Sequence, residues 1–176
     1  NALAAAAVAW QRGVTRADIA AALRKFEGIG RRFNIKGELA LRQGSALLVD
    51  DYGHHPTELA AVFEAARGGW PDKRLVVAFQ PHRYSRTRDL FDEFSAVLST
   101  ADAVVLTDVY AAGEPPIQGA DSKSLARSIR ARGRLDPVLV GAARELRDVL
   151  GDVRHDGDLL LMMGAGDIGA VSGQLA

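Results

Sequence analysis

The chain contains no cysteine and no long apolar run, and its charges balance. Without cysteine, a disulfide framework and a thiolate metal site are excluded, and the composition is compatible with a reducing cytoplasm. No apolar stretch approaches the roughly 20 residues that a helix needs to span a bilayer. The 22 Lys and Arg residues equal the 22 Asp and Glu residues. Net charge therefore supports neither a nucleic-acid partner nor a membrane partner.

The remaining composition is that of an ordinary globular protein, with 176 residues, 48% hydrophobic and 25% charged. This length is enough for one well-buried domain and a small additional segment. The Ala-rich start at residues 1–10 is helical by propensity but has no cap, which favours a chain cut from a longer one. Thr15 and Asp18 predict a second helix over residues 16–25, and a glycine-containing linker follows at residues 26–30.

Beyond this linker, apolar runs of strand length alternate with segments of helical period. Strands are predicted at residues 46–49, 75–79, 103–106, 138–140 and 159–163, and helices at residues 57–67, 88–98, 122–132 and 142–150. One or two short strands are predicted before them, at residues 31–41. Continuous apolar strands that alternate with helices are typical of an α/β fold, in which helices cover both faces of a parallel sheet.

Polar side chains are concentrated in the loops after these strands, and ligands bind at this edge of open α/β sheets. The loops read DDYGHHP, QPHRYSR, DVYAAGEPPIQGADS and GAGDIG. Three of the four histidines lie in the first two loops, as do Arg83 and Arg86. Guanidinium groups suit a carboxylate or phosphate, and near the start of a helix they are unfavourable unless an anion lies nearby. The pattern therefore predicts an anion-binding α/β domain, although a solvated helix start is the plainer alternative.

Two of these loops have competing interpretations. His54, His55 and an aspartate offer metal ligands, but the same residues fit a polar strand-to-helix turn with Pro56 in the first helical turn. The segment MGAGDIG fits G-x-G-x-x-G, which alone indicates dinucleotide binding. We expect instead a close backbone approach or a tight turn there, because the chain leaves no room for the strand and acidic residue that complete a dinucleotide site.

Six segments together resemble the Mur ligase family: GIGRRF, DDYGHHPTE, FQPHRYSRTRDLFDEF, DVYAAGE, GADS and GAGDIG. The resemblance covers nearly the whole chain. It implies that residues 1–27 are the last helices of a central ATPase domain and that residues 28–176 form a C-terminal amino-acid-binding domain. The implied fold is α/β, a Rossmann-like, doubly wound, mostly parallel sheet of about five to six strands after a short helical segment.

The resemblance also implies an activity. It is that of a bacterial cytoplasmic, ATP-dependent amide-bond ligase that adds L-alanine to UDP-N-acetylmuramate through an acyl phosphate, in peptidoglycan precursor synthesis. The implied ligands are L-alanine, UDP-N-acetylmuramate, ATP and Mg²⁺, with the metal held mainly by the central domain. No Gly-Lys-Ser or Gly-Lys-Thr occurs in the chain. We therefore expect the phosphate-binding loop upstream and this chain alone to be inactive.

Site residues follow from the resemblance by position. Five residues are expected to surround L-alanine and the growing product: Tyr52, His54, His82, Arg83 and Arg86. The catalytic contacts among them are His54 and His82. Contacts to the nucleotide are expected from Arg32 and Asp51, and the pocket wall from Gly164 and Gly166. No metal ligand is assigned, and Asp50 and His55 are interpreted as scaffold.

Two other functions stay open. A ligase that attaches a whole tripeptide to the same sugar shares the HHP turn, although PHRYSRTRD fits the alanine-adding member of the family better. A non-enzymatic nucleotide- or anion-binding domain is compatible with the missing phosphate-binding loop. The uncapped helical start favours a truncated ligase over this binding domain.

Overall fold

The computed structural model describes residues 2–26, 28–41 and 44–175. The chain divides into two compact units, one ending at Gly30 and the other starting at Arg31. The first unit contains helices α1 (Ala2–Gln11) and α2 (Arg16–Lys25). The predicted cap of α2 is confirmed, since Thr15 Oγ1 accepts the Asp18 N–H at 3.2 Å and donates to the Asp18 carboxylate at 2.6 Å.

The second unit shows the predicted alternation of strands and helices. Its elements are β1 (Asn34–Ala40), β2 (Ser45–Asp51), α3 (Pro56–Gly69), β3 (Leu75–Phe79), α4 (Tyr84–Asp89), α5 (Phe91–Leu98), β4 (Ala103–Leu106), α6 (Ser122–Ala131), β5 (Val138–Leu139), a 3₁₀ turn (Ala143–Glu145), α7 (Leu146–Val153), β6 (Leu159–Met163) and α8 (Ile168–Leu175). The bounds of β3, β4 and β6 are the predicted ones. No helix among the described residues is both long and apolar enough to cross a membrane.

The strands form one sheet in the order β1-β2-β6-β3-β4-β5. Every neighbouring pair is parallel except β1 and β2, which are antiparallel. On the inner strand β6, Leu161 lies beside Val49 on one side and Val77 on the other. Strands covered on both faces need apolar side chains at successive positions, and β3 and β6 are buried throughout. The predicted fold class is confirmed.

Helices cover both faces of the sheet. On one face, α3, α5 and α6 contribute Phe63, Phe94 and Ile129 to the core. On the other face, α7 and α8 contribute Leu150 and Ile168. Because the five parallel strands run in one direction between these two layers, the loops that follow them share one edge of the sheet.

Three predictions of secondary structure are corrected. The helix predicted over residues 88–98 is divided into α4 and α5, because Leu90 takes φ −118° and ψ 28°. This break allows Leu90 and Phe91, which are adjacent, both to pack against the core. The helix predicted from Ala142 begins as the 3₁₀ turn and becomes α-helical only at Leu146. The third correction is α8, a helix that the apolar pattern does not predict.

Candidate active site

Aromatic rings from three loops form a row at the carboxyl edge of the sheet. Tyr52 and His54 follow β2, His82 follows β3, and Tyr110 follows β4. The ring centroids are 5.4 Å apart for Tyr52 and His54, 5.7 Å for His54 and His82, and 5.4 Å for His82 and Tyr110. The predicted convergence of the histidine loops is confirmed. We call these four side chains the aromatic row.

Glu58 holds the loop between β2 and α3. Its Oε2 accepts the backbone N–H groups of His54 and His55 at 2.9 and 3.1 Å. His55 is the N-cap of α3, and its Nδ1 accepts the Thr57 N–H at 3.3 Å. With Pro56 at the start of the helix, this arrangement is a capping box. The interpretation as a strand-to-helix turn is confirmed, and His55 supports the helix.

The Glu58 carboxylate also lies between two residues with predicted roles. Its Oε1 is 3.5 Å from Arg32 Nη1, and its Oε2 is 3.7 Å from His54 Nδ1. Burial alone would raise the pKa of Glu58, but the backbone N–H groups, His54 and Arg32 outweigh it and lower that pKa. Glu58 is therefore an anion near pH 7, and it connects the residue assigned to the nucleotide with one assigned to L-alanine.

Both carboxylate oxygens of Asp51 bind backbone N–H groups. Oδ1 accepts the Gly53 N–H at 2.6 Å, and Oδ2 accepts the Phe33 N–H at 2.7 Å. The Tyr52 N–H donates to the Arg31 carbonyl oxygen at 2.7 Å. These bonds join the start of the second unit to the end of β2 and fix the position from which Tyr52 and His54 project. A direct contact between Asp51 and a nucleotide stays a prediction.

Arg31 is a site residue that the sequence analysis does not identify. Its Nη2 donates to the Gly164 carbonyl oxygen at 2.6 Å, and its Nε donates to Asp50 Oδ2 at 3.3 Å. Asp50 is 1% exposed, and burial raises its pKa although Arg31 opposes this effect. The guanidinium carbons of Arg31 and Arg32 lie 5.2 and 5.7 Å from the Tyr52 ring centroid. The one sequence signal for Arg31 is the arginine pair in GIGRRF.

The two arginines of PHRYSR have different partners. Arg86 Nη1 donates to the His82 carbonyl oxygen at 3.1 Å and lies 3.3 Å from His82 Nδ1. Arg83 Nη1 lies 3.5 Å from Glu114 Oε1. Burial lowers the pKa of His82, and the positive charges of Arg86 and Arg83 and the neighbouring His54 add to this effect. His82 is therefore predominantly neutral near pH 7.

The loop after β4 holds the turn that contains these arginines. The Arg83 N–H donates to the Tyr110 carbonyl oxygen, and the Tyr110 N–H donates to the Pro81 carbonyl oxygen, both at 2.8 Å. Glu114 accepts the Ser85 N–H at 2.9 Å and the Ser85 hydroxyl at 2.7 Å. These contacts support Arg83 at φ 71°, a conformation that costs energy for a residue with a side chain. The long loop at residues 110–121 thus contributes Tyr110 and Glu114 to the site.

Atoms from other segments of the chain lie so close to the glycines after β6 that a side chain at these positions would collide with them. Gly164 has φ 147°, and a Cβ there would lie 2.8 Å from the Gln80 carbonyl oxygen. A Cβ at Gly166 would collide with the Gln80 side chain and lie 2.7 Å from the Tyr110 ring. The close-approach interpretation of the glycine motif is confirmed. Gly166 borders the aromatic row through Tyr110, and a contact between either glycine and a ligand stays a prediction.

Gln80, which the sequence analysis does not identify, fixes the end of this glycine loop. Its Nε2 donates to Asp167 Oδ1 at 2.6 Å, and its Oε1 accepts the Ile168 N–H at the start of α8 at 3.1 Å. A Cβ at Gly169 would collide with the guanidinium of Arg31. The loop is therefore held from both sides by side chains that are distant in sequence.

The site presents guanidinium groups and aromatic rings. Among residues 2–26, 28–41 and 44–175, no group of three or more His, Asp or Glu side chains is arranged to hold a metal ion. Arg32 and Arg83 have about half of their side chains exposed. Exposed guanidinium groups beside rings are suited to carboxylates and phosphates. Fold and site together define an α/β domain with exposed guanidinium groups and aromatic rings at the carboxyl edge of its sheet.

Comparison with known proteins identifies the family. A family model described as "Mur ligase, glutamate ligase domain" matches residues 31–166. The chain belongs to the Mur ligase family. A UDP-N-acetylmuramate–L-alanine ligase from Xanthomonas campestris pv. campestris is 69% identical over 176 residues, which cover 99% of this chain and 37% of that protein. The chain thus spans little more than a third of the length of this relative.

Solved structures have the same fold. The crystal structure of a UDP-N-acetylmuramate-alanine ligase from Thermotoga maritima matches 99% of this chain and 35% of that one, with a TM-score of 0.77 and 29% identity. A domain attributed to a UDP-N-acetylmuramate:L-alanyl-gamma-D-glutamyl-diaminopimelate ligase from Haemophilus ducreyi matches 82% of this chain with a TM-score of 0.56 and 23% identity. The match covers 96% of that domain, so the fold forms there without the remainder of the protein.

Proposed function

We propose that this chain is the C-terminal part of an ATP-dependent ligase that adds L-alanine to UDP-N-acetylmuramate. One observation carries the proposal: a relative named for this activity is 69% identical over 99% of the chain. The activity belongs to the whole protein, which we assign to the bacterial cytoplasm and to peptidoglycan precursor synthesis. The amino group of L-alanine attacks the acyl phosphate of the muramic acid carboxyl group, an amide bond forms, and phosphate leaves.

The aromatic row and its arginines support an L-alanine site. Arg83 has one ion pair, 3.5 Å from Glu114, and 49% of its side chain is exposed. The carboxylate of an amino acid is able to replace Glu114 at this guanidinium with a shorter, bidentate contact. Arg86 is less exposed than Arg83, and its guanidinium donates to the His82 carbonyl oxygen. We therefore assign Arg83 to the alanine carboxylate, and Arg86, Tyr52, His54 and His82 to the reacting end and the growing product.

The nucleotide side of the proposal rests on the start of the second unit. Arg32 has 51% of its side chain exposed, and its contacts to Glu58 and the Tyr52 ring orient the guanidinium. A phosphate of ATP is a suitable anion for this group. Asp51 supports the same region through its two backbone bonds. Gly164 and Gly166 form the wall beside Gln80 and Tyr110.

The described residues do not form a complete set of protein ligands for Mg²⁺. Coordination of this ion depends on oxygen ligands, and the described part of the chain offers no group of three acidic or histidine side chains arranged around one point. The carboxylates of Glu58 and Glu114, which lie beside His54 and Arg83, already accept backbone N–H groups. We assign the metal ligands to the remainder of the protein and no step to a metal on this chain.

The test is phosphate release by the full-length protein that carries this chain. With ATP, Mg²⁺ and UDP-N-acetylmuramate present, we expect turnover to depend on L-alanine. Turnover with the tripeptide L-alanyl-γ-D-glutamyl-diaminopimelate but not with L-alanine would establish the tripeptide ligase instead. Nucleotide binding without turnover on either substrate would support a non-enzymatic domain. This chain alone is expected to remain folded and to show no turnover.

A further inference from the structure

The hydrogen bonds of His54 determine which of its ring nitrogens carries the proton. Its Nδ1 lies 3.1 Å from the Tyr52 carbonyl oxygen and 3.7 Å from Glu58 Oε2. The carbonyl oxygen is able only to accept a hydrogen bond, and the carboxylate, which lies beyond hydrogen-bond distance, adds a negative charge near the same nitrogen. The neutral ring therefore has its proton on Nδ1 and a free lone pair on Nε2. Because the two nitrogens flank Cε1 and their hydrogen-bonding directions diverge, Nε2 does not face the carbonyl oxygen that holds Nδ1.

His82 has the opposite arrangement. Arg86 Nη1 lies 3.3 Å from His82 Nδ1, and a guanidinium group is able only to donate. His82 Nδ1 is consequently the acceptor, the ring is neutral, and the proton is on Nε2. The lowered pKa of His82 is consistent with this protonation state. The two neighbouring histidines, with ring centroids 5.7 Å apart, thus present one lone pair and one N–H.

We propose that His54 Nε2 is the proton acceptor for the attacking amine, that His82 Nε2–H is the hydrogen-bond donor to the developing oxyanion, and that Glu58 is the positioning residue that holds the His54 backbone and places a negative charge beside Nδ1. This division of roles rests on the ligase function proposed above. The alanine nitrogen forms a bond to the acyl phosphate carbon, and its proton passes to His54 Nε2. The carbonyl oxygen, held by His82, becomes negative. The carbon–oxygen bond to phosphate then breaks, and phosphate leaves with that electron pair.

The charges around each ring favour this assignment over its reverse. His54 becomes an imidazolium when it accepts a proton, and the Glu58 carboxylate near Nδ1 stabilises that cation. His82 faces Arg86, Arg83 and His54, with Glu114 as the one opposing charge among the groups that act on it. A second positive charge at His82 would be repelled by these neighbours. His82 is thus suited to remain neutral and to donate.

Nitrogen-15 NMR of this chain tests the tautomers without any substrate. The four histidines are assigned with single His→Gln variants and measured at a pH where the rings are neutral. We expect the proton on Nδ1 in His54 and on Nε2 in His82. His55 is an internal reference with the proton on Nε2, because its Nδ1 accepts the Thr57 N–H. A proton on Nε2 in His54, or on Nδ1 in His82, would overturn the proposal.

Glu58→Gln tests the positioning role. We expect the variant to shift His54 toward the Nε2–H tautomer, because a neutral amide stabilises the Nδ1–H form less than a carboxylate does. Glu64→Gln is the matched control, since Glu64 is exposed on the same helix, α3. An unchanged His54 tautomer in Glu58→Gln would remove the positioning role.

Side-chain replacements in the full-length ligase separate the two catalytic roles. Glutamine reproduces an N–H at the Nε2 position, and asparagine reproduces groups at the Nδ1 position. We expect His82→Gln to keep kcat within about tenfold of the wild type and His82→Asn to lower it by about 10²- to 10³-fold. Both His54→Asn and His54→Gln should lower kcat by about 10²- to 10⁴-fold and abolish the acidic limb of the pH–rate profile.

The outcomes distinguish this proposal from the ligase proposal. If His82→Asn is as active as His82→Gln, or if the His54 variants keep the acidic limb, the assigned roles are wrong although the ligase stands. If the full-length protein shows no turnover with L-alanine, the ligase function fails and the catalytic roles fail with it. In that case the NMR result still decides the tautomers.

Discussion

Asp51→Asn tests how strongly one buried carboxylate holds the start of the second unit to the site. Asp51 is 4% exposed, and its two oxygens accept N–H groups from Gly53 and Phe33 at 2.6 and 2.7 Å. Asparagine has nearly the same shape but keeps only one acceptor oxygen, so its NH₂ group faces one of the two donors. The loss of one charge-assisted bond should lower the free energy of unfolding by about 1.5–3 kcal/mol.

Urea unfolding of this chain, followed by circular dichroism at pH 7, measures the effect. The matched control is Asp121→Asn, because Asp121 accepts a single N–H, from Ser124 at 2.6 Å, as the N-cap of α6. Asparagine caps helices about as well as aspartate, so the control should remain within about 1 kcal/mol of the wild type. An unchanged slope with denaturant would show that the difference lies in stability.

An Asp51→Asn variant as stable as the Asp121→Asn control would refute the structural reasoning. Weaker ATP binding by the full-length variant with unchanged stability would instead establish Asp51 as a nucleotide contact. If both properties change, the carboxylate acts through the loop that it holds.

Three further predictions concern the same edge of the sheet. Gly166→Ala should lower the free energy of unfolding of this chain, measured in urea, by about 1–3 kcal/mol, since the new methyl group meets the Gln80 side chain and the Tyr110 ring. The control Gly68→Ala should not lower it, because no atom lies within 4 Å of the added methyl group. Equal stability of the two variants would contradict the predicted collision. Because the pKa of Glu58 is lowered on folding, its contribution to stability is present above its ordinary value of 4.5 and is lost as the pH falls below it. Glu58→Gln should therefore lose less stability than the wild type between about pH 5 and pH 3, and parallel curves would contradict the direction of the shift. In the full-length ligase, Arg83→Ala should raise the KM for L-alanine about ten- to a hundredfold with partial rescue by lysine, because this guanidinium is assigned to the alanine carboxylate, and an increase confined to the KM for ATP would transfer Arg83 to the nucleotide.

The central strands could be predicted from the sequence because their burial is a local property of the chain. LVVAF and LLLMM are apolar at every position, and each is buried at every position. The edge strand NIKGELA lacks such a run because only one of its residues, Leu39, is fully buried. Its pairing with β2 depends on a partner and not on its own pattern. The short helix α8 is also missed, since its start is held by Gln80, 88 residues away.

The predictable part of the site is its location, because the carboxyl ends of parallel strands meet at one edge of the sheet. The residues that hold the site together are not predictable in this way. Arg31 contacts Gly164 across 133 positions, and Glu114 contacts Ser85 across 29. No local spacing in the sequence indicates either pair.

The partners of the two histidines are an intermediate case. His54 is followed four positions later by Glu58, and His82 is followed four positions later by Arg86. This spacing brings side chains together within a helix, but His54 and His82 both precede the helices, α3 and α4, that carry their partners. The capping box turns Glu58 toward His54, and the strained turn at Arg83 places Arg86 under His82. The sequence therefore contains both charges at the right separation, and only the two turns determine that one histidine faces an anion and the other a cation.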